Sequence, residues 1–201
     1  MKQIDFYFDF WSPYAYLASG RLAEMAEKYG CAINYCPIDL TKAKLSAGNT
    51  GPPNLQIPPK IRYLMTDLKR WAALYGLPFG GVPKSKDTKR INIGALLAQD
   101  RGMARDYVRE AYDATWGQGG DPNSDELLSA LAAKLGWDAA EFLGYIGSPA
   151  AEERYEAIFE AAVQRGVFGV PIMIFGDEMW WGNDRLDFLE QFLKAQAAID
   201  T

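Results

Sequence analysis

The sequence of 201 residues contains no histidine and only two cysteines, Cys31 and Cys36. Without histidine, a Ser-His-Asp triad, a Cys-His pair and any histidine-ligated metal site are excluded. The four residues between the cysteines match neither the redox motif C-x-x-C nor a zinc-site spacing. Because the two positions differ by five within an apparent strand, we expect their side chains to point to opposite faces, and we interpret them as buried, unreactive thiols. The chemistry of this protein therefore uses neither its own disulfide nor its own imidazole.

Long apolar runs and an excess of positive charge are also missing. No apolar stretch approaches the roughly 20 residues that cross a bilayer, and the formal net charge of -5 is unlike that of a nucleic-acid-binding protein. The first ten residues carry Asp5 and Asp9, which is not typical of a secretory signal. The length and the 49% share of hydrophobic residues are typical of one globular core. We therefore expect a soluble, cytoplasmic protein with no metal and no nucleic-acid or membrane partner.

The first 38 residues carry the pattern of a βαβ unit. Residues 3–10 are rich in aromatic side chains and predict a strand. Ser12 and Pro13 then open an amphipathic pattern that ends at Gly30, since serine is a favoured N-cap and proline is tolerated in the first helical turn. A second strand is predicted over 32–38, and a right-handed crossover would make the two strands parallel.

The middle of the chain is predicted to be helical, whereas its end returns to strands. Residues 41–60 predict a loop, and a second loop is predicted over about 78–89. Helices are predicted over 60–75, 92–116, 123–135, 138–146 and 149–165. The last forty residues predict two short strands around a turn at Gly176-Asp177, followed by a helix over 185–198. This order predicts a single sheet interrupted by a helical insertion.

The segment from Asp9 to Tyr14 places a serine where a strand feeds a helix. Open α/β sheets bind ligands at this kind of position, where exposed N–H groups and the helix dipole favour a negative charge. A thiolate held there is favoured over the thiol, so its pKa falls. The alternative is that Ser12 only caps the helix.

Two further motifs lie near the end of the chain. The string GVFGVP ends at Pro171, before a predicted strand. A cis Val170-Pro171 bond would turn the backbone polar groups of Val170 outward, whereas the alternative is an ordinary trans proline at a strand start. In the string WWGNDRL, Asn183 or Asp184 could cap the final helix, and the functional alternative is that the Asp184 carboxylate holds an ammonium group of a ligand.

The motifs D-F-x-S-P-Y, G-x-F-G-V-P and W-G-N-D-R-L occur here in an order and spacing that resemble a known family. They are similar to those of kappa-class glutathione transferases, and still more to those of 2-hydroxychromene-2-carboxylate isomerases, within the DsbA-like branch of the thioredoxin superfamily. The resemblance covers essentially the whole chain. It implies the α/β class, with a thioredoxin-like mixed sheet interrupted by a large all-helical insertion. The thioredoxin-like domain would be discontinuous, over 1–40 and 166–201, and the insertion domain would span 41–165.

The resemblance also implies a set of site residues. Ser12 would hydrogen-bond the sulfur of glutathione, and Val170 would pair with its cysteinyl backbone. The remaining glutathione-binding positions are Asn49, Trp181, Gly182, Asn183 and Asp184. Lys44 and Asn54 match positions that contact the aromatic keto acid, and Lys86 stands where those isomerases carry a tyrosine, which implies a shifted substrate preference.

By this resemblance, the expected function is glutathione-dependent interconversion of 2-hydroxychromene-2-carboxylate and trans-o-hydroxybenzylidenepyruvate, a step of naphthalene-type aromatic hydrocarbon catabolism. The cofactor would be glutathione, the substrate an aromatic keto acid and the assembly a homodimer. Two alternatives stay open at this point. One is a kappa-class-like transferase that conjugates aryl electrophiles to glutathione, and the other is a redox-inert DsbA-type binding module or chaperone.

Overall fold

A computed structural model describes residues 2–52 and 54–199, without the side chains of Leu55 and Ile199. The elements in chain order are β1 Gln3–Phe8, α1 Pro13–Lys28, β2 Ala32–Pro37, α2 Leu40–Ser46, a 3₁₀ turn Asn54–Gln56, α3 Pro58–Tyr75, α4 Lys89–Asp100, α5 Ala104–Tyr112, a π-helical segment Asp113–Gly117, α6 Asp125–Lys134, α7 Ala139–Ile146, α8 Pro149–Gln164, β3 Ile172–Phe175, β4 Glu178–Trp181, a 3₁₀ turn Asn183–Arg185 and α9 Leu186–Ile199. Within these described ranges, no helix is long and apolar enough to cross a membrane.

The four strands form one mixed sheet in the order β2-β1-β3-β4. β1 and β2 are parallel, whereas β3 pairs antiparallel with both β1 and β4. The parallel β1-α1-β2 unit and the helical block between β2 and β3 confirm the predicted α/β class and its insertion. The division into domains at residues 41 and 166 stays a prediction.

The two faces of the sheet pack against different sets of apolar side chains. Phe6 and Phe8 are fully buried in a large cluster that continues into the inserted helices, and they stack on each other with ring centroids 5.3 Å apart. Cys36 belongs to a smaller cluster on the other face. Cys31 lies just before β2 and packs against the large cluster, so the predicted opposite placement of the two thiols is confirmed.

Both thiols are poor nucleophiles. Cys36 is buried, and burial raises the pKa of its thiol to about 12. Cys31 is partly exposed, and partial burial raises the pKa of its thiol as well. A thiol with a raised pKa holds little thiolate near neutral pH, which is the reactive form.

The loop predicted over 41–60 is wrong in its first part, because α2 occupies 40–46. Asp39 caps this helix, with its carboxylate accepting a hydrogen bond from the Lys42 backbone N–H at 2.9 Å. The N–H of Leu40 at the helix start donates to the carboxylate of Asp9, 2.8 Å away. The pattern over 92–116 also divides, at Gly102, whose φ of 67° ends α4 and starts a new turn before α5.

The register brings four chain segments to one edge of the sheet. Phe8 pairs with Pro37, so the carboxyl ends of β1 and β2 lie together. Ile172, the first residue of β3, pairs with Tyr7 on one side and with Trp181 on the other. The turn after β1, the start of β3 and the end of β4 therefore meet, and the candidate site lies at this edge.

Candidate active site

Ser12 lies at the N-terminus of the 16-residue helix α1. Its backbone N–H donates to the carbonyl of Asp9 at 2.8 Å, and its Oγ accepts a hydrogen bond from the Ala15 N–H at 3.2 Å. The predicted cap is thus confirmed. The Ser12 hydroxyl proton is donated to no other residue of the described ranges. The first turn of α1 carries no acidic side chain, so its positive dipole end stays available for an anion.

The Val170-Pro171 peptide bond is cis, as the second motif allowed. The Pro171 carbonyl accepts a hydrogen bond from the Gly182 N–H at 2.9 Å, which ties this bend to the end of β4. No backbone hydrogen bond within the described ranges uses the N–H or C=O of Val170. Both groups can therefore pair with an extended peptide, as glutathione is.

An aromatic pair flanks this bend. The rings of Phe168 and Trp181 meet edge to face with centroids 5.0 Å apart. The two residues are 37% and 56% exposed. They give the edge an apolar rim beside the unpaired backbone of Val170.

The segment after β4 contains a glycine with positive φ, Gly182, followed by a buried side-chain amide, that of Asn183. Gly182 has φ 104°, and a Cβ on it would come 2.5 Å from Oδ1 of Asp184. Asn183 is only 3% exposed, and its Nδ2 has no hydrogen-bond partner in the described part of the chain. Asp184 forms an ion pair with Arg185, with 2.7 Å between the charged atoms. Exposed ion pairs of this kind add little stability, so the ammonium group of a ligand could replace Arg185. The turn Asn183–Arg185 packs against α1.

If glutathione binds at this edge, as the sequence resemblance implies, we expect Gly182→Ala to raise its KM with a smaller effect on kcat. The added methyl group displaces the Asp184 carboxylate, and the positive φ costs about 1–3 kcal/mol of stability. Gly176→Ala is the matched control, because Gly176 also has positive φ, 60°, but no atom lies within 4 Å of its Cβ position. Steady-state kinetics of both variants against glutathione check this, and equal KM values would contradict a role for the 182–184 segment in binding.

A buried carboxylate organises the turn that carries Ser12. Asp9 is 3% exposed, and its Oδ1 accepts hydrogen bonds from the Trp11 N–H at 3.0 Å, the Thr88 hydroxyl at 2.6 Å and the Asn92 amide at 3.0 Å. Its Oδ2 accepts from Leu40, as described above. Burial raises the pKa of Asp9, and these four hydrogen bonds oppose that shift.

The inserted helices also hold the backbone of this turn. The Phe10 N–H donates to Oδ1 of Asn92 at 3.1 Å, and the Phe10 carbonyl accepts from the Trp116 indole at 2.8 Å. The Tyr112 hydroxyl donates to the carbonyl of Asp9 at 3.1 Å. Sequence reasoning assigned no role to these positions. The available sequence signals were the polar Asp9 at the end of an aromatic strand and the polar Asn92 among the apolar residues of a predicted helix.

A second contact fixes α3 beside the start of α1. The Tyr14 hydroxyl donates to a carboxylate oxygen of Asp67 at 2.9 Å. Burial, this hydrogen bond and the nearby charges of Asp67 and Asp184 raise the pKa of Tyr14. The phenol therefore stays a neutral hydrogen-bond donor, two residues after Ser12.

The predicted substrate positions Lys44, Asn54 and Lys86 and the predicted glutathione position Asn49 lie on α2 and in the segments that follow β2 and precede α4. Lys44 is partly buried on α2, and its ammonium has no partner among the described residues. The exposed Asn49 donates its backbone N–H to the Lys44 carbonyl at 2.9 Å, which keeps the two positions adjacent. Asn54 is exposed, and its side-chain oxygen accepts from Lys60 at 3.3 Å. Lys86 is exposed on the loop before α4, and within the described ranges no hydrogen bond or ion pair joins its side chain to the Ser12 edge.

Comparison with known proteins gives one consistent result. The DSBA-like thioredoxin domain matches residues 3–194. A 2-hydroxychromene-2-carboxylate isomerase of Pseudomonas putida is 46% identical over 187 residues, covering 93% of this chain and 92% of the relative. That of Sphingobium xenophagum is 45% identical over 192 residues, covering 96% and 98%. A solved structure of a 2-hydroxychromene-2-carboxylate isomerase, 44% identical, superposes with a TM-score of 0.94 over 98% of this chain and 97% of that one. The human glutathione S-transferase kappa 1 is a distant relative, 25% identical over 96% of this chain and 91% of its own.

Proposed function

The chain belongs to the DSBA-like thioredoxin family and, within it, to the 2-hydroxychromene-2-carboxylate isomerases, and we propose that it is a glutathione-dependent isomerase that interconverts 2-hydroxychromene-2-carboxylate and trans-o-hydroxybenzylidenepyruvate. The names of its relatives state an isomerase of 2-hydroxychromene-2-carboxylate, and the keto acid as the other isomer is our proposal. The glutathione dependence is our proposal, and the name of the kappa transferase relative supports it.

The observation that carries the proposal is the uncommitted hydroxyl of Ser12 at the N-terminus of α1. This chain has no histidine, and both of its thiols have raised pKa values. The helix N-terminus and the Ser12 proton would stabilise a thiolate brought by another molecule.

The residues at the sheet edge offer suitable partners to two of the three units of glutathione. The unpaired backbone of Val170 offers one donor and one acceptor to the cysteinyl unit. The buried Nδ2 of Asn183, unpaired in the described part of the chain, and the Asp184 carboxylate offer a donor and an anion to the γ-glutamyl end, which carries both a carboxylate and an ammonium group. An unpaired buried amide costs stability, so a ligand that pairs with it gains affinity.

When bound, glutathione would supply a thiolate, a nucleophile whose reversible addition to the conjugated carbon of the enone would let the former double bond rotate. Ser12 would hold the sulfur through its hydroxyl proton. Lys44 would anchor the substrate carboxylate through a charge-assisted hydrogen bond.

Incubation with trans-o-hydroxybenzylidenepyruvate and glutathione tests the proposal against its alternatives. An isomerase converts the substrate without changing its mass and leaves the glutathione concentration constant. A transferase consumes glutathione and forms a stable conjugate with an aryl electrophile, and a binding module does neither. Chromatography that separates the two isomers, followed by mass spectrometry of the products and a thiol assay, distinguishes these outcomes.

We expect Lys44→Met to raise the KM for the keto acid by roughly tenfold or more, because a charge-assisted contact contributes about 1.5–3 kcal/mol. Lys42→Met is the matched control on the same helix. The Lys42 ammonium is held by Glu156 of α8 at 2.6 Å, so it is not available to a substrate. Steady-state kinetics against the keto acid give the comparison, and equal KM values in the two variants would remove Lys44 from the substrate site.

We also propose a role in naphthalene-type aromatic hydrocarbon catabolism and a homodimer, since the sequence resemblance implies both, and a cytoplasmic location, since the first ten residues are not typical of a secretory signal. Neighbouring genes for a ring-cleavage dioxygenase and an aldolase would support the pathway. Light scattering after size-exclusion chromatography would give the mass of the assembly, and a monomer would contradict the dimer.

A further inference from the structure

The buried carboxylate of Asp9 joins the two halves of the proposed site. On one side, Oδ1 holds the N–H of Trp11, in the turn directly before Ser12. On the other side, Oδ2 holds the N–H of Leu40, the first residue of the helix that carries Lys44. One side chain thus bridges the segment assigned to glutathione and the segment assigned to the keto acid.

A third segment is held by the same group. The Thr88 hydroxyl and the Asn92 amide, both near the start of α4, donate to Oδ1. The first backbone N–H of α2 and two side chains at the start of α4 therefore all donate to this anion, and these hydrogen bonds favour its ionised form. Asn92 is fixed in orientation, because its own oxygen accepts from the Phe10 N–H at 3.1 Å.

Only a carboxylate with both oxygens as acceptors satisfies this arrangement. The two backbone N–H groups and the Asn92 amide are obligatory donors. If an asparagine replaced Asp9, its NH₂ group would face a donor whichever way the amide turned. The buried donor left unpaired would then pull its segment away from its present position.

We propose that Asp9 is a positioning residue that fixes the distance between Ser12 and Lys44, so that the thiolate meets the conjugated carbon of the bound keto acid. This inference rests on the proposed function. Asp9 touches neither glutathione nor substrate in this account. It acts through the backbone of the Ser12 turn and through the first turn of α2.

The test compares Asp9→Asn with a control of similar structural cost. We expect Asp9→Asn to lower kcat by at least roughly tenfold, since misplacement of reacting groups is costly. It should also shift the thiol pKa of bound glutathione upward. The control is Leu131→Ala, which removes a buried side chain of α6 outside the Asp9 contacts. It should lower the melting temperature while leaving kcat and the thiol pKa unchanged at temperatures where the protein is folded.

A double-mutant cycle separates positioning from a general loss of structure. If Asp9 acts by placing Lys44, then Asp9→Asn combined with Lys44→Met should lower kcat/KM by less than the product of the single effects. Strictly multiplicative effects, or an Asp9→Asn variant that behaves like Leu131→Ala, would overturn the inference.

If Asp9→Asn does not fold, Thr88→Val removes one of the four donors and should give the same pattern with a loss of roughly three- to tenfold. A wild-type protein that turns over without glutathione would instead overturn the proposed function, so the two failures are distinguishable.

Discussion

Exhaustive dialysis should abolish turnover of the keto acid, and added glutathione should restore it fully. The reason is that no residue of this chain supplies a competent nucleophile, since histidine is absent and burial raises the pKa of both cysteines. The rate should depend hyperbolically on glutathione concentration. S-methylglutathione, which keeps the peptide but lacks the thiol, should inhibit competitively rather than activate.

A cysteine-free variant provides the control for this prediction. Cys31→Ser with Cys36→Ala should retain turnover in the presence of glutathione, apart from a packing loss at the buried Cys36. Full turnover of the dialysed wild type without glutathione would contradict the account, and so would loss of activity on replacing only the partly exposed Cys31.

Ser12→Ala should lower kcat/KM by roughly ten- to a hundredfold. The change removes a hydrogen bond to a charged sulfur, which is worth about 1.5–3 kcal/mol, and about 1.4 kcal/mol corresponds to a factor of ten. It also removes the cap of α1, which costs about 0.5–2 kcal/mol of stability. Rates measured well below the melting temperature, together with thermal unfolding, separate the two effects.

Ser148 provides a matched control for the helix-capping role of Ser12. Ser148 caps α8, is followed by a proline and accepts from the Ala151 N–H at 3.3 Å, the same arrangement as at Ser12. Ser148→Ala should lose similar stability with turnover unchanged. If Ser12→Ala behaved like Ser148→Ala in both respects, Ser12 would be only a helix cap.

Elements with strong local signals could be predicted from the sequence. The aromatic strand β1, the Ser-Pro start of α1 and the paired strands around Gly176 each depend on residues near one another in the chain, and the structure has them with bounds shifted by only a few residues. The cis bond at Val170 was one of two alternatives, because local sequence alone does not decide between the isomers.

What could not be predicted depends on contacts between distant residues. The backbone N–H of Leu40 at the start of α2 donates to Asp9, 31 positions earlier, so the composition of residues 41–60 alone favours a loop. The bonds from Thr88 and Asn92 to Asp9 span 79 and 83 positions. The periodicity of apolar residues along a sequence does not indicate hydrogen bonds between such distant positions. The hydrogen bonds that support the Ser12 turn could therefore be identified only from the structure.

The most direct test of the central claim is a pH titration of the thiolate absorbance of glutathione bound to the wild type and to Ser12→Ala. The account predicts a pKa for bound glutathione below the value of about 8.5 typical of a free thiol, because the helix N-terminus and the Ser12 proton stabilise the anion. It also predicts that Ser12→Ala raises this pKa toward the free value, whereas Ser148→Ala leaves it in place. An unshifted pKa in the wild type, or the same depressed pKa in wild type and Ser12→Ala, would contradict it.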